Sequence, residues 1–117
     1  MTPRRLDAAL DRITRVRGVR GAMLVSRDDG LVVAESLMEG IRGNAVAALA
    51  ASLATRLGRG ADAAGAGAQR FVHLSAERGG LLLMPVPEGL LLVTLTDQRV
   101  NVGLARLEMQ QAIEELG

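Results

Sequence analysis

Residues Gly43–Thr55 read GNAVAALAASLAT and carry no charge, in a chain where charged residues make up 23% of the total. At helical spacing Val46, Leu49, Ala50, Leu53 and Leu57 form one apolar stripe. The other side then holds Asn44, Ala48, Ala51, Ser52 and Thr55, which are too small and too weakly polar to make a solvated surface. A helix that is apolar or small all round is buried on both sides. A chain of 117 residues has too few other elements to cover both. The expectation is that the leucine stripe lies on the chain's own sheet and that a second copy covers the small-residue face.

The length fits a single domain spanning residues 1–117, and with 49% hydrophobic residues a folded core is expected rather than disorder. Cysteine is absent, which removes disulfides, thiolate nucleophiles and cysteine metal sites together and fits a reducing, cytoplasmic setting. The first residues, MTPRRLDAALDR, contain no continuous apolar stretch and do not read as a signal peptide. No run approaches the roughly 18 apolar residues that a membrane-spanning helix needs.

Charge is unevenly spread. Arg4, Arg5, Arg12, Arg15, Arg17 and Arg20 face only Asp7 and Asp11 in the first twenty residues, whereas the last helix ends in Glu114 and Glu115. A basic first helix could attract nucleic acid or anionic lipid. With no tyrosine or tryptophan and one phenylalanine to stack on bases, a solvated face with an Asp11–Arg15 pair at i,i+4 is the better reading. Nucleic acid is therefore not an expected partner.

Thr2 and Pro3 make a helix start, a hydroxyl cap followed by proline at the first helical position. Leu6, Ala9, Leu10, Ile13 and Val16 repeat at helical spacing until Gly18. Gly21–Ser26 and Leu31–Ser36 flank an Asp-Gly turn and read as a hairpin. The uncharged helix runs from about Arg42 to Gly58, and Gly58–Ala68, rich in glycine, reads as a mobile connection. Arg70–Ser75, Leu81–Val86 and Leu90–Thr96 form a three-stranded meander, with Pro85 expected at a strand end or an unpaired position. The last helix starts near the cap Asn101 and carries Val102, Ala105, Met109, Ala112, Ile113 and Leu116 on one side, leaving Leu104 and Leu107 off the stripe. The order α-β-β-α-β-β-β-α predicts an α+β fold with a five-stranded antiparallel sheet and helices on both faces.

Catalytic chemistry has little to work with. His73 is the sole histidine and sits in a strand, so a nucleophile–base pair cannot be assembled from the usual residues. Asp28 and Asp29 belong to a turn that needs no metal to explain it. The glycines at 58, 60, 65 and 67 follow a helix, precede a strand and are accompanied by no lysine, so they make neither a phosphate-binding loop nor a dinucleotide fingerprint. No cofactor and no metal is expected, and the chain reads as a non-catalytic module rather than an enzyme. Small residues on the outer face of the central helix permit close approach of a second copy. The strand Arg70–Ser75, at a sheet edge, would let two copies join edge to edge.

Gly18-Val19-Arg20-Gly21-Ala22-Met23-Leu24-Val25-Ser26-Arg27-Asp28-Asp29-Gly30, the small-residue central helix and Asn101-Val102-Gly103-Leu104-Ala105-Arg106 together resemble the roadblock / dynein light chain family in its short bacterial form. The resemblance covers essentially the whole chain. It implies a profilin-like sheet between the central helix and the two terminal helices, and a homodimer joined through the central helix and third strand. Members of the family regulate or scaffold small Ras-like GTPases or tie cargo to motors, and bacterial members stimulate hydrolysis by a gliding-motility GTPase. Carried over, the self-interface would be Asn44, Ala47, Ala48, Ala51, Ser52, Thr55, Phe71 and His73, with Arg56 and Arg59 at the rim of a partner-binding platform and no arginine finger assigned. The long Gly58–Ala68 connection departs from the family pattern. The leading expectation is a homodimeric regulator or adaptor of a small Ras-like GTPase. The alternative is a structural or sensory module that binds a kinase or scaffold with no GTPase.

Overall fold

The computed structural model describes residues 3–116. Helix α1 spans Pro3–Thr14, β1 Val19–Ser26, β2 Val32–Leu37, α2 Gly43–Ala63, β3 Val72–Ala76, β4 Gly79–Val86, β5 Leu90–Asp97 and α3 Val102–Leu116. The expected element order holds throughout. The expected Thr2 cap lies outside the described residues.

All strand pairs are antiparallel, and the sheet order is β2-β1-β5-β4-β3. The hairpin β1–β2 and the meander β3–β4–β5 are fused by pairing β1 with β5, so the inner strands β1, β5 and β4 are covered on their two faces. Their sequences are accordingly continuous apolar runs. Met23, Val25, Leu91, Val93 and Leu95 point into the layer beneath α2. Ala22, Leu24 and Leu92 point into the layer beneath α1 and α3. Pro85 lies beyond Leu83, the last β4 residue that pairs with β3, so its missing N–H interrupts no ladder on that side.

On the α1/α3 face the expected stripes are used: Ala9, Leu10 and Ile13 from α1 meet Ala105, Met109 and Ala112 from α3. Asn101 caps α3 as expected, its Oδ1 accepting the Leu104 N–H at 3.0 Å. The expected Asp11–Arg15 pair is not formed. Instead Arg12, one residue away, reaches across to α3, with its Nε 2.6 Å from Glu108 Oε2 and its two terminal nitrogens on Glu115 and Gln111. A planar guanidinium offers donors in several directions, and here it ties the two helices along their exposed seam. The bond to Glu108 is the chief influence holding the Arg12 pKa above its ordinary value.

Helix α2 departs from expectation in two ways. It runs through Gly58 and Gly60 to Ala63, so the first half of the segment read as a mobile connection is helical. Each helical glycine costs about 1 kcal/mol relative to alanine, and the flanking Ala, Leu and Arg residues are strong helix formers that offset this. Chain reversal falls at Gly65 and Gly67, which have φ of 73° and 86°. Gln69 ties the connection back to the helix by donating from Nε2 to the Ala54 carbonyl at 3.3 Å.

The second departure concerns which face of α2 turns inward. Ala47, Ala50, Ala51 and Ala54 are the buried residues, and Leu49 of the expected core stripe is 71% exposed. Val46 and Leu53 are half-buried on the flank, and Leu57 is 42% exposed. The four buried positions are all alanine, and the β1–β2 turn packs close against the flank of the helix. A Cβ placed on Gly30 in the β1–β2 turn would come within 2.9 Å of Ala48 Cα. Replacing one of the buried alanines by leucine would add volume to a closed core and is expected to overpack it.

Candidate functional site: the outer surface of the central helix

The inward alanines leave α2 with two different flanks. One is apolar: Leu49 and Leu57 stand exposed above the half-buried Val46 and Leu53. This flank belongs to the same apolar layer as Val72 of β3 and Leu81 of β4. Leu74 pairs in register with Leu81, so it shares that face, and it is 45% exposed. Strand β3 pairs only with β4 and ends the sheet. The result is an apolar shoulder running from α2 to an open sheet edge, of a kind that commonly marks contact with another protein.

The other flank is small and polar. Ala48, Ser52, Thr55, Arg56 and Arg59 line a cleft of about 360 Å³ with the turn residues Arg27–Gly30. The turn is held by the Gly30 N–H on the Ser26 carbonyl and the Ser26 N–H on the Leu31 carbonyl, both at 2.9 Å. Asp29 Oδ1 accepts the Leu31 N–H at 3.1 Å, and this bond is the chief cause of an Asp29 pKa below the ordinary carboxylate value. The Thr55 hydroxyl donates to the Ala51 carbonyl, satisfying itself within the helix. Two arginines of α2, Arg56 and Arg59, therefore lie across this cleft from a turn that carries Arg27, Asp28 and Asp29.

Of the self-interface residues expected from sequence, the structure brings Ala48, Ser52 and Thr55 together on this flank, with Asn44 also exposed on α2. Arg56 and Arg59, expected at the rim of a partner-binding platform, line the same cleft. Ala47 is corrected: it is 0% exposed because the chain's own core takes it up, whereas Ala51, 4% exposed, is mostly buried but still forms part of the cleft floor. Phe71 turns to the opposite layer, where the Arg106 guanidinium stacks 4.5 Å from its ring centroid. His73 is exposed on β3, in register with Leu82.

Leu49, Leu57 and Leu74 were missed as surface residues. The available signal was the run of alanines at positions 47, 50, 51 and 54, which marks a close-packed inner face as clearly as leucines mark a looser one. Among the described residues no group of three or more His, Asp or Glu could hold a metal ion, and no helix is long and apolar enough to cross a membrane.

A five-stranded antiparallel sheet with one long helix on one face and the two terminal helices on the other defines the profilin-like class of α/β/α domain. Within that class the chain belongs to the Roadblock/LC7 family, whose domain model matches residues 5–96. The Asn101–Arg106 segment lies beyond that match. A relative from Methanocaldococcus jannaschii, an uncharacterized protein, is 33% identical over 95% of this chain and 96% of its own. Among solved structures, Myxococcus xanthus MglB superposes with a TM-score of 0.87 at 24% identity, covering 97% of this chain and 85% of that one. The gliding protein MglB of Thermus thermophilus gives 0.85 at 26% identity over 97% and 86%. An MglB in a tetrameric arrangement gives 0.87 at 26% identity over 99% and 90%.

Proposed function

We propose that this chain is a homodimeric regulator or adaptor of a small Ras-like GTPase, with no catalytic chemistry of its own. The observation that carries the reading is the apolar shoulder of Leu49, Leu57 and Leu74 between α2 and the open edge β3. A two-fold pair formed there would bury the leucines and both β3 edges at once, because a two-fold contact sets the same patch against itself. It would set the two α2 helices side by side, with the Arg56 and Arg59 clefts flanking the paired surface as a receiving face for a third protein. Family membership and the likeness to MglB, a gliding protein whose solved forms include a tetrameric arrangement, support this reading.

The test combines mass and activity. Light scattering on the purified chain is expected to give twice the monomer mass of 12.3 kDa. Ras-like GTPases from the same genome, loaded with a non-hydrolysable GTP analogue or with GDP, are then titrated against the dimer, and hydrolysis of GTP is followed with and without it. Nucleotide-dependent binding is the expected outcome. A dimer that distinguishes neither nucleotide state of any of these GTPases would overturn the regulatory role.

A further inference from the structure

At the opposite end of β1 from the α2 cleft, five arginines converge on one concavity of about 660 Å³. Arg15 and Arg17 come from the α1–β1 connection, Arg20 from β1, Arg78 from the β3–β4 turn and Arg99 from the β5–α3 connection. Asp97 is the single carboxylate that lines it. The chain as a whole is nearly balanced, with 14 basic against 13 acidic residues, so this end holds positive charge far out of proportion. Glu77, next to Arg78, lines the adjoining hollow instead.

Asp97 is already committed. Its Oδ2 receives Arg99 Nη2 at 2.8 Å and Nε at 3.1 Å, and its Oδ1 accepts the Arg99 backbone N–H at 2.8 Å. Arg15, Arg17, Arg20 and Arg78 make no ion pair or side-chain hydrogen bond among the described residues. Four guanidinium forks on three segments thus line a shared space, with Arg20 near enough to Asp97 to help lower its pKa but bonded to no carboxylate. Like charges gathered at one end of the molecule repel one another, and a bound anion relieves that repulsion.

We infer that this concavity is a binding site for a multiply charged phosphoryl anion, held by Arg15, Arg17, Arg20 and Arg78. A planar carboxylate offers one edge to one fork. A tetrahedral phosphoryl group presents oxygens in several directions and accepts forks arriving from separate segments. Forks arriving from three separate segments favour linked phosphoryl groups over a single one. The concavity has no aromatic lining, so it provides nothing to stack a base on, and recognition rests on the phosphates. The site does not depend on the α2 surface and stands or falls separately from the GTPase reading.

Calorimetric titration of the full chain at low salt, with inorganic tripolyphosphate as the probe, tests the site. Saturable binding at one site per chain is expected, weaker for orthophosphate and no tighter for ATP than for tripolyphosphate. Arg20→Gln and Arg78→Gln should each lower the affinity by about tenfold, the usual effect of one charge-assisted hydrogen bond. Asp97→Asn keeps the Oδ1 acceptor that orders the loop but releases Arg99, and should tighten binding by about threefold. A gain of affinity cannot come from misfolding, and thermal melts of each variant check the losses. Vesicles of phosphatidylcholine and phosphatidylglycerol separate the sources. Vesicle binding competed by tripolyphosphate assigns the site to lipid headgroups, and tripolyphosphate binding without vesicle binding assigns it to a soluble ligand. Absence of saturable tripolyphosphate binding, affinities unchanged in all three variants, or vesicle or duplex DNA binding that tripolyphosphate does not compete would each overturn it.

Discussion

Gly30 lies directly beneath Ala48: a methyl group on the glycine would come within 2.9 Å of the alanine's Cα, at a backbone φ of +71°. Both the dihedral angle and the contact exclude a side chain, because the atom met is backbone and cannot swing away. Gly30→Ala should therefore cost about 1–3 kcal/mol by combining left-handed strain with displacement of α2. Urea denaturation gives the value, and a change below about 0.5 kcal/mol would show that α2 can lift off the turn freely.

The two faces of α2 should respond oppositely to a charge. Ala51→Glu buries an unpaired carboxylate beneath the helix and should unfold the chain or destabilise it by about 3 kcal/mol or more. Leu49→Glu places the same charge on an exposed position, so the melting curve of the monomer should move little. It should nevertheless dissociate the proposed pair. Light scattering with circular dichroism reads both variants, and a folded dimer carrying Leu49→Glu would remove the shoulder from the interface.

Thr94 lies on β5 between Ala22 and Leu82, fully buried, and its Oγ1 has no hydrogen-bond partner among the described residues. An unsatisfied buried hydroxyl carries a desolvation penalty that an apolar group of the same shape does not. Thr94→Val is expected to stabilise the protein by about 1 kcal/mol. Thermal denaturation checks this, and a destabilised variant would mean that the hydroxyl has a partner in solution.

Acid should act on the loop that Asp97 organises. Bonds from the Arg99 side chain, followed by the Arg99 backbone N–H, hold the Asp97 pKa below its ordinary value. A carboxylate whose folded pKa is depressed contributes stability that is fully present above its unfolded value, about 3.9, and is lost as pH falls through the folded value. Urea midpoints should therefore fall below about pH 4, and Asp97→Asn should flatten part of that fall. Asp29 is depressed by the Leu31 N–H and accounts for a further part, so Asp29→Asn should behave alike. Identical acid profiles in the wild type and both variants would show that neither carboxylate is involved.

Sequence reasoning located every element because most of them advertise themselves with bulky side chains. Ile13 and Met109 could face only inward, and the runs Leu81–Val86 and Leu90–Thr96 could be little else than covered strands. The same reasoning placed Ala50, Val46 and Leu53 of α2 on the sheet side, as found, but put Leu49 and Leu57 there as well and left the buried Ala51 outside. Leu49 and Ala50 stood in one expected stripe, and of the two only the alanine is buried. Gly58 and Gly60 misled as well: local breakers count for less when the turns on either side are strong helix formers. The arginine concavity was only half legible. Arg15, Arg17 and Arg20 were visible as an excess of charge near the start of the chain, while Arg78 and Arg99 join them through the pairing of β1 with β5 and β5 with β4.

The alanine underside of α2 has a consequence for how such a chain can diversify. Its inward positions 47, 50, 51 and 54 are all buried alanines, while Leu49, Ser52, Arg56 and Arg59 are exposed. Substitutions at the outward positions can change what the helix recognises with little effect on whether the chain folds. A lineage built this way can exchange partners by point mutation while its scaffold stays fixed, provided the underside remains small.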